Sequence, residues 1–188
     1  MLAFIWSYRK GFQSARQSRL GQTYLKFVVA GFIMLATHSA WAAIPIAVLD
    51  FELKDLTLIP NTPEERRRTA SVAPLLRQAI DLKGNYKQIV IDPAAHHTAD
   101  AGVGYLFDHP EEAARLGQAY GADYIAVGRV HKPSFLFVYL QIHLVEVKGQ
   151  RKVGDLVVEI KGSEEGLTRR GVEHLADQID EILKGQQP

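Results

Sequence analysis

Leu116–Pro133, LGQAYGADYIAVGRVHKP, holds a helix end, a glycine stop, a buried strand and a polar exit within eighteen residues. Gly121 stands where a helix stops on a left-handed residue. Tyr124–Val130 is then a run of apolar β-formers without the strict alternation of a half-buried strand. A strand buried on both faces belongs to a sheet covered by helices, so this stretch places the chain in the α/β class. Upstream of it, Asp108-His109-Pro110-Glu111 is a helix start with proline in the first turn, and Ala113, Ala114, Leu116 and Ala119 form a small-residue face.

Further upstream, Ile44–Phe51 reads as a first strand, followed by a loop to Asn61. Thr62-Pro63-Glu64-Glu65 combines a hydroxyl cap, a proline and a glutamate that can reach back to the cap. Val72, Leu75, Leu76, Ala79 and Ile80 recur on one helical face, and Lys83-Gly84 ends it. Pro74 lies within that helix and predicts a kink or short break near Ser71. Arg66, Arg67 and Arg68 point about 100° apart on a helix, so they read as a solvated face and not as one anion patch. Gln88–Ile91 is a second strand, stopped by Asp92-Pro93, and Asp92–Asp108 reads as a long connection.

Downstream, Phe135–Val147 is one long strand whose apolar side is Leu136, Val138, Leu140, Ile142 and Leu144. Its other side carries Phe135, Phe137, Tyr139, Gln141 and His143. A glycine-containing turn returns the chain through Val153–Lys161, and a last helix runs from about Thr168 to Leu183. The expected fold is a single α/β domain over residues 43–184, with a polar tail at 185–188. Its element order is β-α-β-α-β-β-β-α: a mixed sheet with a long antiparallel hairpin and a C-terminal helix.

The first 42 residues do not fit that domain. Arg9, Lys10, Arg16, Arg19 and Lys26 form a basic region without an acid, Phe27–Ala36 is a ten-residue apolar run, and Ala40-Trp41-Ala42 has small residues at the cleavage positions. Ten apolar residues fall short of the ~20 that span a bilayer. The expectation is an export signal at 1–42, cleaved near Ala42, and a periplasmic protein with no stable membrane insertion afterwards. With no cysteine in the chain, neither a lipid anchor on cysteine nor a disulfide is available. Removing five basic residues from 22 leaves 17 against 21 acids, a formal charge of about −4. A generally basic surface for nucleic acid is thereby not expected.

Motifs for chemistry are sparse. No serine sits in a nucleophile elbow and no H-E-x-x-H occurs. Gly102-Val103-Gly104 lacks the third glycine of a dinucleotide loop, and no cofactor is expected. Three groups remain as candidates. Arg129, His131 and Lys132 follow the third strand at its carboxyl end and form a positive corner able to hold an anionic ligand. His96, His97 and His109 in and beside the long connection are imidazoles for a metal, although adjacent histidines rarely face one ion. Phe135, Phe137 and Tyr139 form an aromatic strand face suited to a partner protein or to a covering helix. Asp50, Glu52 and Asp55 lack the spacing of a cation loop. His143 and His174 read as structural residues among apolar neighbours.

IPIAVLDFEL near the start, GYLFDHPEEAARLGQAYGADYIAVGRVHKPSFLF in the middle and VGDLVVEIKG in the hairpin resemble a proteobacterial family of small secreted proteins carrying a domain of unknown function. More distantly, IAVLDF with GADYIAVGRV is similar to the amino-terminal domain of TolB and to CsgG and LpoB. That resemblance implies a non-catalytic domain that binds another cell-envelope protein. The alternative is a small-ligand or metal-binding protein using the 92–109 segment and the Arg129/His131 corner.

Overall fold

The computed structural model describes residues 43–162 and 165–186. The expected export signal and the end of the polar tail lie outside the described residues. Six strands, β1 (Ile44–Val48), β2 (Glu52–Asp55), β3 (Tyr86–Ile89), β4 (Tyr124–Lys132), β5 (Phe137–Glu146) and β6 (Arg151–Lys161), form one mixed sheet. Among the described residues five helices accompany it: α1 (Pro63–Asp81), α2 (Pro93–Ala99), α3 (Tyr105–Asp108), α4 (Pro110–Ala119) and α5 (Glu165–Gly185). The strand order is β3-β1-β4-β5-β6; β1 and β3 pair in parallel, β1 with β4 likewise, and β4, β5 and β6 pair antiparallel. The expected α/β architecture is present, with one strand and two short helices more than the sequence reading supplied.

The added strand is β2, which lies parallel to β4 beyond the end of β1. Val48 faces Ala126 and Glu52 faces Arg129, so three residues, Leu49–Phe51, stand opposite Val127 and Gly128. That is a one-residue bulge, and it fits the Phe51 ring against Gly128, where any Cβ would come within 2.3 Å of the ring.

The added helices fall in the segment expected to be a loop. Asp92 caps α2 by accepting from Ala94 N at 2.9 Å, with Pro93 in the first turn. Gly104, at φ 86°, turns the chain into α3, and a Cβ there would press on Arg129. Gly121, at φ 74°, ends α4 as expected.

No break occurs at Pro74; α1 is one helix from Pro63 to Asp81. Pro74 and Ala70 are both exposed, so the carbonyl that loses its hydrogen bond faces water, while Val72, Ala73, Leu76 and Ile80 stay packed. Thr62 Oγ1 accepts from Glu65 N at 3.3 Å, but the Glu65 carboxylate turns inward and not back to the cap.

Alternation divides the sheet into two faces. On the first, Ile46, Val48, Val130, Leu140, Ile142, Leu144, Val158 and Ile160 meet α1 and α5 in the larger core. On the second, Ala47, Ile125, Val127 and Val145 meet α3 and α4 in a smaller core. The small side chains expected on α4, Ala113 and Ala114, are fully buried there, and Gly117 lets the helix approach Val147 and Ile125.

Candidate functional site

The cationic triplet at the end of β4 is split by strand alternation. Lys132 is on the first face, buried, with Nζ 2.8 Å from Glu65 Oε1 of α1. Arg68, on the next turn of α1, donates to Thr168 Oγ1 at 2.9 Å and to Gly162 O at 3.2 Å, and lies 3.7 Å from Glu65 Oε2. Of the three arginines, then, Arg66 is exposed, Arg67 pairs with Glu64 and the Arg68 side chain is only 8% exposed, so the solvated reading fails for Arg68.

Arg129 and His131 are on the second face. The Arg129 guanidinium lies 4.0 Å over the Phe107 ring and pairs with Glu52, with Asp108 Oδ2 at 3.9 Å. His131 sits between Lys54 and Tyr139, whose ring is 6.3 Å away. The expected positive corner is therefore not one site: Lys132 faces away from the other two, and both Arg129 and Lys132 are engaged by carboxylates.

The histidines of the 92–109 segment do not converge on an ion either. His97 and His109 are exposed, His109 Nδ1 lies 3.2 Å from Glu111, and only His96 is half-buried against a small cavity beside Asp100. Among the described residues, no three His, Asp or Glu side chains are placed to hold a metal. Of the Asp50, Glu52 and Asp55 group, Asp55 turns to the first face, where it accepts from Thr57 and Asn61 and shapes the loop before α1. His143 is not alone among apolar neighbours: its Nδ1–H donates to Phe107 O at 2.7 Å and its ring stacks on Phe107, while its Nε2 lies 3.3 Å from Asp155 Oδ1. His174 instead lies exposed on α5, 3.4 Å from Gln178.

The aromatic face is the candidate that stays open. The terminal helix packs on the first face, against Leu140 and Ile160, and so does not cover Phe137 or Tyr139. On the second face α4 reaches only the turn end of the hairpin, at Val145 and Val147. On this half of the second face Phe137, Tyr139 and Gln141 of β5 are half-buried and Val157, Glu159 and Lys161 of β6 are exposed, and neither core cluster includes them. Val157 is 49% exposed, and at the adjoining rim Phe135 and Leu136 are 59% and 71% exposed. The Gly162 N–H donates to Leu136 O, and Leu56 N–H to Lys132 O, which brings the Leu56–Ile59 loop to the same end of the sheet. Leu58 in that loop is 94% exposed. The sequence reading has a loop here but does not connect its three exposed apolar side chains, Leu56, Leu58 and Ile59, with the aromatic face, because the stretch shows no pattern.

Several ionisable groups tie the domain's stability to pH. Burial, with Lys54 and Arg129 nearby, pushes the His131 imidazole below its ordinary value. Burial works against the charged forms of Asp55 and Asp180, but hydrogen bonds from Thr57 and Asn61 to the first and from Lys184 and Tyr86 to the second outweigh it, holding both low. The hydrogen bond from Lys152 holds Asp155 low as well. Between the unfolded histidine value of about 6.5 and the lower folded one, the unfolded chain binds more protons, so stability falls as pH drops. The carboxylate contribution is complete above the unfolded value of about 3.9 and is lost as pH falls through the folded values. Urea unfolding between pH 7.5 and 3 is thus expected to show two stages of loss, and His131→Phe to remove the first while leaving the second. No change between about pH 7 and 5 in the unmodified protein would contradict the first stage.

Solved structures match much of the chain at low identity. TolB from Acinetobacter baumannii matches 78% of the chain at 15% identity and a TM-score of 0.48, the match spanning 30% of TolB's length. LpoB from E. coli matches 85% of the chain and 79% of its own, at 12% identity and a TM-score of 0.48. The lipoprotein GNA1162 from Neisseria meningitidis matches 72% of the chain and 96% of its own, at 18% identity and a TM-score of 0.45. No curated protein matches the chain by sequence. TolB and LpoB, to which IAVLDF and GADYIAVGRV are similar, are among these matches, and residues 45–179 match a family profile throughout. The chain belongs to the family described as "Protein of unknown function (DUF2380)".

Proposed function

We propose that this protein is a non-catalytic binding or assembly module of the cell envelope, exported through its first 42 residues, which docks another envelope protein on the open half of its second sheet face. The observation that carries this reading is the cluster of exposed Val157, Phe135 and Leu136 around the half-buried rings of Phe137 and Tyr139, outside both cores. Large apolar side chains grouped at one edge of a sheet that is elsewhere covered mark an interaction surface. The rings sit between charges: Lys161 Nζ lies 5.9 Å from the Phe137 ring, and Glu159 accepts from the Tyr139 hydroxyl. A docked surface then meets an apolar centre with a charged rim, the usual order of a protein interface. No helix of the described residues is long and apolar enough to cross a membrane, so attachment to the envelope would come through such a partner.

The test is a pull-down from periplasmic extract with the mature protein, its Phe137→Asp variant, and a Glu173→Ala control on the exposed side of α5. A protein retained by the first and third and lost by Phe137→Asp is expected. Equal retention by all three, or none, would refute docking at this face.

A further inference from the structure

β6 closes one side of the sheet and is eleven residues long, whereas β3 on the opposite side has four. A long edge strand presents unpaired N–H and C=O groups that another strand can use. At the open end of the hairpin Gly162 stands opposite Leu136 and donates its N–H to Leu136 O. Ladder alternation then turns the backbone groups of Leu156, Val158 and Ile160 toward β5, and those of Asp155, Val157, Glu159 and Lys161 away from it. Among the described residues, none of those outward N–H and C=O groups has a hydrogen-bond partner. The side chains of the same four residues are exposed on the second face, while Leu156, Val158 and Ile160 are buried on the first.

The order of charges along this row selects the strand that fits it. In a two-fold antiparallel pairing of β6 with itself, a centre at Val158 sets each Asp155 opposite a Lys161 and each Val157 opposite a Glu159. A centre at Val157 sets Asp155 against Glu159, a centre at Glu159 sets that carboxylate against its own copy, and a centre at Leu156 sets Lys161 against Arg151. Like charges directly opposite destabilise a ladder and unlike charges support it, so one register is favoured and its neighbours are opposed. The existing ion pairs do not prevent the exchange. Asp155 pairs with Lys152 at 2.7 Å and Lys161 lies 3.5 Å from Glu159, and exposed pairs of this kind contribute little. Apolar contacts above the strand agree with the charges. Gly162 and Gly154 lie under α5, where an added Cβ would come 3.3 Å from Leu167 and 2.8 Å from Ile182. The centre at Val158 sets Gly162 opposite the second copy's Gly154, which brings the half-buried Leu167 toward the second copy's Ile182.

We propose that two copies of this chain join through their β6 edges, antiparallel about a two-fold axis at Val158. The interface is isologous, the same segment Asp155–Lys161 serving on both sides, and the sheet continues from one copy into the other. The two half-faces that carry Phe137, Tyr139 and Val157 then lie side by side on one surface of the joined sheet. The pairing forms without any other protein and stands whether or not a partner docks on that surface.

The test is sedimentation velocity of the purified mature protein from about 10 µM to about 1 mM, beside its Asp155→Lys and Lys161→Asp variants, each checked for folding by circular dichroism. The unmodified protein is expected to pass from monomer to dimer across that range. Each variant alone sets like charges opposite one another twice and should dimerise at least about tenfold more weakly. Their equimolar mixture restores both unlike pairs between the two chains and should dimerise as the unmodified protein does. Oxidation reads the register. The chain has no cysteine, so Val158→Cys introduces a single thiol that meets its own copy across the axis and should give a disulfide-linked dimer, whereas Val157→Cys, opposite Glu159, should give much less. A monomer at about 1 mM, a dimer that either charge variant leaves unchanged, a mixture that stays monomeric, or equal disulfide yields at the two positions would overturn the proposal.

Discussion

Replacing Glu65 by glutamine is expected to lower the free energy of unfolding by about 3–5 kcal/mol. Glu65 is the anion between two buried cations, with Lys132 Nζ at 2.8 Å and Arg68 Nη1 at 3.7 Å. All three side chains are at most 8% exposed, so water does little to screen a charge left without its partner. Burial already pulls the Arg68 guanidinium below its ordinary value, with Glu65 pulling it back. Taking the carboxylate away leaves two like charges facing each other in the core. The group also joins four parts of the fold, since Lys132 ends β4, Glu65 and Arg68 begin α1, Thr168 begins α5 and Gly162 leaves β6. Replacing the whole group by Glu65→Leu, Arg68→Met and Lys132→Met should recover most of the loss, because no charge is then buried. Urea unfolding followed by circular dichroism measures both; a loss below about 1 kcal/mol for Glu65→Gln would contradict the assignment.

Gly128→Ala is the second large effect. A Cβ at this position would lie 2.3 Å from the Phe51 ring, and three ring atoms come within 2.4 Å. Phe51 is 8% exposed and part of the larger core, with a small cavity on one side, so its ring can give way only by leaving its core contacts. Over-packing of this kind costs about 1–3 kcal/mol and sometimes more, and here the upper end is expected because the displaced ring also holds the bulge. The two sites should be strongly coupled. Phe51→Ala alone is expected to cost about 3–5 kcal/mol through the space it leaves, and adding Gly128→Ala to it should cost little further. Additive losses in the double variant would show that the ring and the glycine do not depend on each other.

The helices and the long strands were legible where local signals agreed. Thr62-Pro63 opens α1 and Gly121 closes α4 in the structure as in the sequence, and the alternation from Val138 to Leu144 marks the buried side of β5. Asp92-Pro93 carries the same cap-and-proline signal as Thr62-Pro63, yet read as the stop of the preceding strand it concealed α2. Phe51-Glu52-Leu53-Lys54 alternates as β2 requires, but a strand of four residues, three half-buried and Lys54 exposed, leaves too short a pattern to separate from a loop.

The candidate corner failed for a different reason. Adjacent residues on a strand point to opposite faces, so Lys132 could not share a site with His131 whatever its charge suggested. What each cation is paired with depends on contacts more than 60 positions apart, Lys132 with Glu65 and Arg129 with Glu52. No local pattern encodes such pairs. The openness of the aromatic face is also a tertiary property: the same apolar C-terminal stripe of Val172, Leu175 and Ile179 fits either side of the hairpin until α1 is seen to share its face.

The central claim is that the open half-face of the β5–β6 hairpin is where a partner docks. Placing a photo-crosslinking residue at Val157, on that face, and separately at His174, on the outer side of α5, tests it in intact cells without dependence on affinity. The account predicts a discrete crosslinked product from position 157 that is absent from position 174 and abolished by Phe137→Asp. The same products from both positions, or none from 157 at equal expression, would contradict it.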